Sequence, residues 1–251
     1  MNEPLSASSA LSIRGLMKGY ALGATRLDVL RGLDLEVPVG EMCAVMGPSG
    51  VGKSTLLNCL AGLDVPDAGQ IVVLGQDLGA LDDDGRTLLR RRRVGIVYQF
   101  FNLVGTLTAH ENVMLPFLID GAEADVAAID RALSRVGMSG RRDHLPAQLS
   151  GGEMQLVSIA RAIVRKPGLV LADEPTGNVN VATGKRIMAL LAEVLRETSS
   201  AMLLVTHNPE DAARADRVVF MKDGAIAAES TLAGAEVSAA AVHDRLKALG
   251  I

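Results

Sequence analysis

The residues with the clearest chemical potential form one continuous stretch, and their types suit a phosphate-binding loop. The stretch runs from Gly47 to Thr55 and reads Gly-Pro-Ser-Gly-Val-Gly-Lys-Ser-Thr. Glycines let the backbone bend so that consecutive N–H groups point at phosphate oxygens. Lys53 brings a positive charge to the outer phosphates, and the Ser54 hydroxyl can ligate Mg²⁺. The alternative to a nucleoside triphosphate site is a glycine-rich surface turn. The residues predicted to bind nucleotide here are Gly47, Pro48, Ser49, Gly50, Val51, Gly52, Lys53, Ser54 and Thr55.

Two adjacent carboxylates form the second candidate for chemistry. Asp173 and Glu174 directly follow the apolar run 169–172. Consecutive side chains of an extended backbone point in different directions, so one carboxylate can serve a metal while the other meets a water. Adjacent carboxylates repel each other without a cation nearby, and Mg²⁺-nucleotide would supply that cation. We therefore expect Asp173 to hold the metal and Glu174 to orient or deprotonate the attacking water, rather than both lying in a solvated acidic turn.

A pair of glycines after a serine gives a second anion-binding pattern. Ser150 is a good helix N-cap, and Gly151 and Gly152 let backbone N–H groups approach a phosphate closely. Taken alone, the segment could equally be an ordinary helix start. It is notable because the chain already carries one phosphate loop.

Strands and helices must position these residues, and hydrophobic patterning predicts both. The apolar run 42–46 predicts a buried strand before the phosphate loop, and 54–62 predicts a helix whose N-terminus faces the anion. The run 169–172 does not alternate, which indicates a strand buried on both faces of a parallel sheet. Further strands are predicted at 11–17, 32–37, 71–74, 94–98, 201–206 and 217–221, and further helices at 122–136, 150–165, 183–198 and 209–215.

The alternation of strands and helices predicts an α/β fold with right-handed crossovers and a site at the carboxyl ends of the strands. Residues 101–165 are mostly helical in pattern, so we expect a helical insert in this core. The predicted domain spans 11–230, with the α/β core at 11–100 and 166–230. A C-terminal helical extension is predicted at 231–251.

Composition limits where the chain works. Of its 251 residues 49% are hydrophobic, yet the apolar runs stop short of the roughly 18 residues that span a bilayer, so we expect membrane association through a partner. Residues 1–10 show no signal pattern, which favours the cytosol. A net charge of −4 argues against general affinity for nucleic acid. Cys43 and Cys59 are expected to be small buried hydrophobes rather than metal ligands or a disulfide.

In combination, the motifs resemble those of the nucleotide-binding ATPase subunits of ABC transporters, over nearly the whole chain and in the order typical of that family. The segment 47–55 resembles Walker A, 169–174 resembles Walker B, and 149–153 resembles the family signature. Gln99 stands in the position of the Q-loop glutamine, and His207 in that of the switch histidine. The signature is peculiar to this family among phosphate-loop proteins, so the joint match is specific.

The resemblance implies a fold with a P-loop NTPase core and mainly parallel sheet, an N-terminal antiparallel β subdomain and a helical insert. Tyr20 falls where the family places an aromatic ring that stacks on adenine. The segments 106–113 and 173–178 are similar to the lipoprotein-release and macrolide-export branch.

ATP, Mg²⁺ and hydrolysis of ATP are likewise what the resemblance implies. Ser54, Gln99 and, through water, Asp173 would serve Mg²⁺, while Glu174 would be the general base and His207 would touch the γ-phosphate. Taken alone, Gln99 could be a polar surface residue and His207 a core or capping histidine. Each gains support because it follows an apolar strand in its motif position.

The resemblance further implies that two copies pair head to tail and enclose two ATP molecules. Ser150 and Gly152 of one copy would contact the γ-phosphate held by Lys53 of the other. Integral membrane permease subunits would be the further partners. The chain would then lie on the cytoplasmic face of the inner membrane, held there through the permease.

Departures from the family pattern leave an alternative open. Asn180 stands where relatives usually carry an aspartate, and Met154 and Leu156 where they commonly carry glutamine and arginine. Hydrolysis could therefore be slow, and an ATP-gated clamp or signalling module with weak turnover is the alternative function. A GTPase is disfavoured because no Asn-Lys-x-Asp motif is present, and a kinase because it would give 149–153 no role.

Aromatic and basic residues suggest where a partner binds. Tyr98, Phe100, Phe101 and Phe117 lie close in sequence although aromatics are only 2% of the chain. They either fill the core of the helical insert or line a groove for a permease helix. The run 90–93 of four arginines is either a solvated helix end or a contact for acidic groups near the membrane.

Overall fold

The computed structural model describes residues 9–23 and 25–251. The prediction that the chain lacks a signal pattern rests on residues 1–10, of which 1–8 lie outside the described residues. Within the described ranges, every helix falls short of the length and apolarity needed to cross a bilayer.

The first sheet is antiparallel and has four strands in the order β2-β1-β4-β5. Along β2 the buried Leu33, Leu35 and Val37 alternate with exposed Asp34 and Glu36, because successive side chains of a strand point to opposite faces. One face of this sheet is therefore covered and the other is open to solvent. The strands are β1 (Ser9–Leu22), β2 (Thr25–Pro38), β4 (Ala68–Val73) and β5 (Gln76–Asp77). This sheet confirms the predicted N-terminal antiparallel β subdomain.

The second sheet is mainly parallel, with strand order β10-β9-β3-β8-β7-β6 and β11 paired with β9. Its strands are β3 (Met42–Met46), β6 (Val94–Val97), β7 (Leu169–Asp173), β8 (Ala201–Val205), β9 (Arg217–Lys222), β10 (Ala225–Ile226) and β11 (Leu232–Ala233). The parallel pairs join β3 with β8 and β9, and β7 with β6 and β8. The continuous apolar runs therefore correctly predicted strands buried on both faces.

Helices cover this sheet, and side chains at their first turns decide where several of them begin. Asp125 accepts a hydrogen bond from the Ala128 backbone, so the helix predicted at 122–136 begins four residues later than expected. Asn208 caps a helix that ends after a single turn instead of continuing to 215. The helices are α1 (Lys53–Leu60), α2 (Asp83–Arg93), α3 (Ala109–Ile119), α4 (Val126–Arg135), α5 (Gly151–Ile163), α6 (Val181–Thr198), α7 (Pro209–Ala212) and α8 (Ala239–Leu249).

Two hydrophobic clusters lie on the opposite faces of the parallel sheet. In β3, Ala44 packs into the cluster with the helical insert, whereas Cys43 and Val45 pack into the cluster with the antiparallel sheet. Cys43 and Cys59 are both buried and free, as predicted. Because β3 contributes side chains to both clusters, it packs against the helical insert on one face of the sheet and against the antiparallel sheet on the other.

The C-terminal region continues the sheet before it turns helical. Strand β11 pairs with β9, and α8 packs near α7 and β9. The sheet thus includes residues past 230, where the predicted extension begins. The division into 11–230 and 231–251 remains a prediction.

Replacing Leu191 of α6 by alanine should lower the free energy of unfolding by about 2–5 kcal/mol, because this fully buried side chain would leave a cavity in the core. Urea denaturation followed by circular dichroism measures the change. Leu88 of α2 is 39% exposed, so Leu88→Ala is the matched control and should cost less than half as much. Equal losses for the two variants would contradict the packing described here.

Candidate functional site

The loop between β3 and α1 requires glycine at specific positions. A Cβ atom on Gly47 would lie 2.4 Å from the Met221 carbonyl oxygen, and Gly52 has a φ of 110° with Val29 packed against it. Gly52 is also the N-cap of α1 and offers no side chain to its first turn. The N–H groups of that turn are therefore available to an anion, as the phosphate-loop prediction requires.

Lys53 lies within this loop. Its Nζ donates to the carbonyl oxygens of Gly47 and Pro48 at 2.8 and 2.9 Å. Burial lowers the pKa of Lys53, while the charges of Glu174 and Asp173 act in the opposite direction. A polyphosphate in the loop would likewise favour the charged ammonium group.

Asp173, the last residue of β7, reaches toward the start of α1. The Ser54 hydroxyl donates to Asp173 Oδ2 at 3.4 Å. Burial raises the pKa of Asp173, and the charge of Glu174 adds to the rise. A cation here would oppose both effects, so the electrostatics favour a bound metal.

The available donors fit Mg²⁺ better than a softer metal. Ser54, Asp173 and Gln99 all line the same cavity and offer oxygen ligands. The described part of the chain holds no cluster of three or more His, Cys, Asp or Glu side chains suited to a metal. Magnesium commonly uses one or two carboxylates together with substrate phosphates, which is what this site can provide.

Glu174 is held by the end of the neighbouring strand. Only 8% of it is exposed, and its backbone N–H donates to the Val205 carbonyl at 2.9 Å. Its Oε2 accepts from the Thr206 hydroxyl at 3.3 Å, and its Oε1 lies 2.7 Å from His207 Nδ1. Its φ of 44° is unusual for a residue with a side chain and indicates backbone strain.

His207 completes this arrangement from the end of β8. Its side chain is 69% exposed, and it forms its contact with Glu174 through Nδ1. A carboxylate only accepts, so Nδ1 carries the proton in this contact. The imidazole therefore presents Nε2 toward the surrounding space.

These groups surround one cavity of about 460 Å³ at the carboxyl ends of the strands. Val29, from the antiparallel sheet, also contributes to the wall, and no motif signals it in the sequence. Thr206 was likewise missed as a functional residue, although its place beside His207 at a strand end was a usable signal. The lining residues are Val29, Ser49, Gly50, Gly52, Lys53, Ser54, Thr55, Gln99, Asp173, Glu174 and His207.

Tyr20 lies beside this cavity, on β1, without lining it. Its hydroxyl donates to Asp64 Oδ2 at 2.6 Å, and Lys18 Nζ lies 5.1 Å from the ring centroid. Burial and the hydrogen bond with Asp64 raise the pKa of Tyr20, whereas a hydrogen bond with Thr55 lowers it. Because Thr55 lines the cavity, the Tyr20 hydroxyl lies beside the phosphate loop, and 39% of Tyr20 is exposed.

The signature segment lies elsewhere, and its glycines line a different surface. A Cβ atom on Gly152 would meet Thr183, and one on Gly151 would approach the Asn178 carbonyl. Ser150 caps α5 and is fixed by Glu153, whose carboxylate accepts from both the Ser150 N–H and its hydroxyl. Ser150, Gly151 and Gly152 are therefore absent from the cavity that the phosphate loop of the same copy lines.

The departures from the family pattern have local structural roles. Asn180 caps α6, and its Oδ1 accepts from the Thr183 backbone at 2.9 Å. Asparagine and aspartate serve equally well as N-caps. Leu156 is 4% exposed and, with Met154 against it, belongs to the cluster under the helical insert. Neither Leu156 nor Asn180 lines the phosphate-loop cavity.

The fold and the site together define an ATPase built on a phosphate loop with a helical insert and a second anion-binding segment. The family described as ABC transporter matches residues 30–177, more than half of the chain. The chain therefore belongs to the ABC transporter family and is its ATP-binding, ATP-hydrolysing subunit.

Relatives and solved structures agree with this assignment. The chain is 50% identical to the lipoprotein-releasing system ATP-binding protein LolD of Ruegeria pomeroyi, over 92% of this chain and all of that protein. It is 45% identical to the LolD protein of Gluconobacter oxydans, over 89% of this chain and 98% of that one. A dimeric post-hydrolysis structure of the ATP-binding cassette MJ0796 with ADP and Pi matches with a TM-score of 0.81 at 36% identity, over 86% of this chain and 96% of the other.

Lys53→Ala should weaken ATP binding about 10- to 100-fold, because it removes a charged donor from the phosphate loop. Titration with a fluorescent ATP analogue measures this change. Lys185 is exposed on α6, so Lys185→Ala is the matched control and should bind ATP as the unaltered chain does. Unchanged affinity of Lys53→Ala for ATP would show that the phosphate loop does not bind the nucleotide.

Proposed function

We propose that this chain powers a membrane complex of the lipoprotein-releasing type, working as a pair of copies that enclose two ATP molecules. The observation that carries the proposal is the separation of the two anion-binding segments. Lys53, Asp173 and Glu174 line one cavity, whereas Ser150 and Gly152 lie outside it in the same copy. A second copy in head-to-tail arrangement would bring its Ser150 and Gly152 to the open side of this cavity.

Within that pair, the metal would be held on the phosphate-loop side. Ser54, Gln99 and Asp173 offer oxygen ligands, with Asp173 acting directly or through a water. A magnesium ion held by these residues would supply positive charge to the phosphates during hydrolysis. Lys53 would exchange its two loop carbonyls for phosphate oxygens.

Glu174 is placed to act on the attacking water. Its carboxylate is largely buried at the edge of the cavity, and Thr206 and His207 hold its two oxygens. A fixed carboxylate can orient a water and accept its proton. His207 in its doubly protonated form would donate from Nδ1 to Glu174 and from Nε2 to the γ-phosphate.

Base recognition would use Tyr20. Lys18 and Asp64 fix the orientation of its ring, which leaves part of the ring surface exposed beside the phosphate loop. Stacking of adenine on an aromatic ring needs this kind of fixed and accessible face.

A groove on another side of the molecule suits a membrane partner. It has a volume of about 400 Å³ and lies between α2, β6, α3 and α5. Tyr98 lines it, Phe117 packs at the margin of the hydrophobic cluster beside Arg165, and Phe100 is 72% exposed. Three of the four predicted aromatics thus divide between the groove, the core margin and the surface, whereas the fourth, Phe101, lies beside Gly151 of the signature segment.

The groove favours an acidic partner segment. Its arginines are Arg90, Arg91, Arg92, Arg161 and Arg165. Asp120 pairs with Arg92 and Arg165 at 3.0 and 2.9 Å. The largely buried Arg161 donates to the Phe101 and Asn102 carbonyls and has no carboxylate partner among the described residues. The exposed Arg91 is therefore the arginine most accessible to an incoming carboxylate. Burial lowers the pKa of Arg161, so a carboxylate beside it would offset an electrostatic cost. We assign the groove to an acidic cytoplasmic segment of a permease, which would hold the chain at the cytoplasmic face of the inner membrane.

The alternative of a clamp with weak turnover is not favoured. Asn180 fills a capping role that aspartate would also fill, and Leu156 packs in the core. The acidic residues and His207 of the hydrolytic site are all in place.

Glu174→Gln should lower steady-state ATP hydrolysis by at least about 100-fold, because an amide cannot accept the proton of the attacking water. Phosphate release with the permease complex present measures this rate. The variant should still pair in the presence of MgATP, which size-exclusion chromatography detects. Glu210→Gln, an exposed neighbour on α7, is the matched control. Hydrolysis near the normal rate in Glu174→Gln would show that Glu174 is not the general base.

Arg91→Glu should abolish recovery of the chain with its integral membrane partner, because it places a negative charge in the groove. Affinity purification from detergent-solubilised native membranes, with mass spectrometry of the bound integral proteins, measures recovery. Arg196→Glu on the exposed side of α6 should leave recovery intact. Equal recovery of the two variants would exclude the groove as the docking site.

A further inference from the structure

Helix α5 carries a glutamine where its neighbours are apolar. Gln155 is 1% exposed, and Leu156, Val157 and Ile159 beside it are core residues. Burying an amide costs free energy unless hydrogen bonds replace those to water. The position of Gln155 therefore depends on the groups to which it is bonded.

Those groups are two carbonyl oxygens on the edge of the nucleotide cavity. Gln155 Nε2 donates to the Pro175 carbonyl at 2.8 Å and to the Tyr98 carbonyl at 3.3 Å. Pro175 directly follows Glu174, and Tyr98 directly precedes Gln99. One side chain thus joins α5 to both chain segments that carry the proposed base and a proposed metal ligand.

The oxygen and the nitrogen of this amide differ in their contacts. Gln155 Oε1 is buried and has no hydrogen-bond partner within residues 9–23 and 25–251. The two hydrogen bonds donated to Pro175 and Tyr98 are therefore the contacts by which the described residues hold this amide.

The segment after Glu174 needs such contacts. Glu174 has a φ of 44°, a conformation that persists only when surrounding groups enforce it. The Gly177 N–H donates to the Glu174 carbonyl at 3.0 Å, and Asn178 Nδ2 donates to the Gln99 carbonyl at 2.7 Å. The hydrogen bond from Gln155 to Pro175 adds a further contact, and this one comes from a different element, helix α5.

The same helix begins at the proposed contact with the other copy. Ser150 caps α5, and Gln155 follows five residues later, about 7.5 Å along the axis. A helix segment this short moves as a rigid unit, so displacement of its N-terminus also displaces the Gln155 amide. When Ser150 contacts the nucleotide of the partner copy, α5 would therefore shift, and its Gln155 amide would move the Pro175 and Tyr98 carbonyls to which it is bonded.

We propose that Gln155 is a positioning residue that couples closure of the signature segment on the partner's ATP to the placement of Glu174 and Gln99 in its own copy. This inference rests on the proposed function, because it requires two copies that share their nucleotides. Gln155 does not touch nucleotide or metal in this arrangement, and its effect passes through the two carbonyls.

The test is Gln155→Met, which keeps the length and bulk of the side chain but removes its N–H donors. We expect kcat to fall about 10- to 100-fold, because slight misplacement of a catalytic group has effects of this size. Two copies that share their nucleotides should give the unaltered chain a sigmoidal dependence of rate on ATP concentration, and Gln155→Met should lose this shape. Binding of a fluorescent ATP analogue to Gln155→Met should stay within about twofold of normal, and MgATP should still pair copies of Gln155→Met/Glu174→Gln.

Gln148→Met is the matched control, because Gln148 is exposed and bonds only to the nearby Leu145 backbone among the described residues. Its kcat should stay within about twofold of normal. A kcat of Gln155→Met within twofold of normal would overturn the proposal, as would equal losses of kcat, nucleotide affinity and pairing, which indicate a purely structural role. If Gln155→Met does not fold, Gln155→Asn retains the amide but is too short to reach both carbonyls, and the same outcomes apply.

Failure of the proposed function would give a different experimental result from failure of the role of Gln155. Glu174→Gln that does not pair in MgATP would show that copies do not share nucleotides, and it would remove the basis for coupling. Pairing by Glu174→Gln together with a normal kcat in Gln155→Met would leave the proposed function intact and overturn the role of Gln155 alone.

Discussion

Both faces of the parallel strands are covered, and this burial determines where the chain can place charge. Strands β3 and β8 are buried throughout, with side chains entering hydrophobic clusters on either side of the sheet. A charged side chain within them would lose its hydration without compensation. The polar groups of the site therefore lie just past the last buried residue of each strand. Asp173, Glu174 and His207 converge because their strands are parallel neighbours.

That constraint explains why much of the site could be predicted from sequence. The phosphate loop, Asp173-Glu174 and His207 each follow an apolar run, so the carboxyl edge of the sheet was identifiable without coordinates. Continuous apolar runs also predicted the parallel strands, because periodicity reports burial on one or both faces. The mainly parallel sheet and the antiparallel subdomain are confirmed.

Contacts between distant segments could not be read from the sequence. Val29 reaches the cavity from the antiparallel sheet, and its type and spacing resemble those of any strand valine. Gln155 lies in a helix whose pattern marks it only as a polar interruption, and its bonds to Tyr98 and Pro175 depend on the packing of three elements. Helix ends were also misjudged where a capping side chain decided them, as at Asp125 and Asn208. Local sequence patterns therefore identified the residues of the site, whereas tertiary packing determined the contacts that connect them to the rest of the chain.

The two native thiols have a practical consequence for spectroscopy. Burial raises the pKa of Cys43 to about 12 and that of Cys59 to about 11, so both remain protonated and shielded at neutral pH. Thiolates, not thiols, react with maleimides and methanethiosulfonates. A cysteine introduced at an exposed position would consequently take up a spin label selectively without prior removal of the native pair. Distances between labels on two copies could then be recorded in the otherwise unaltered chain.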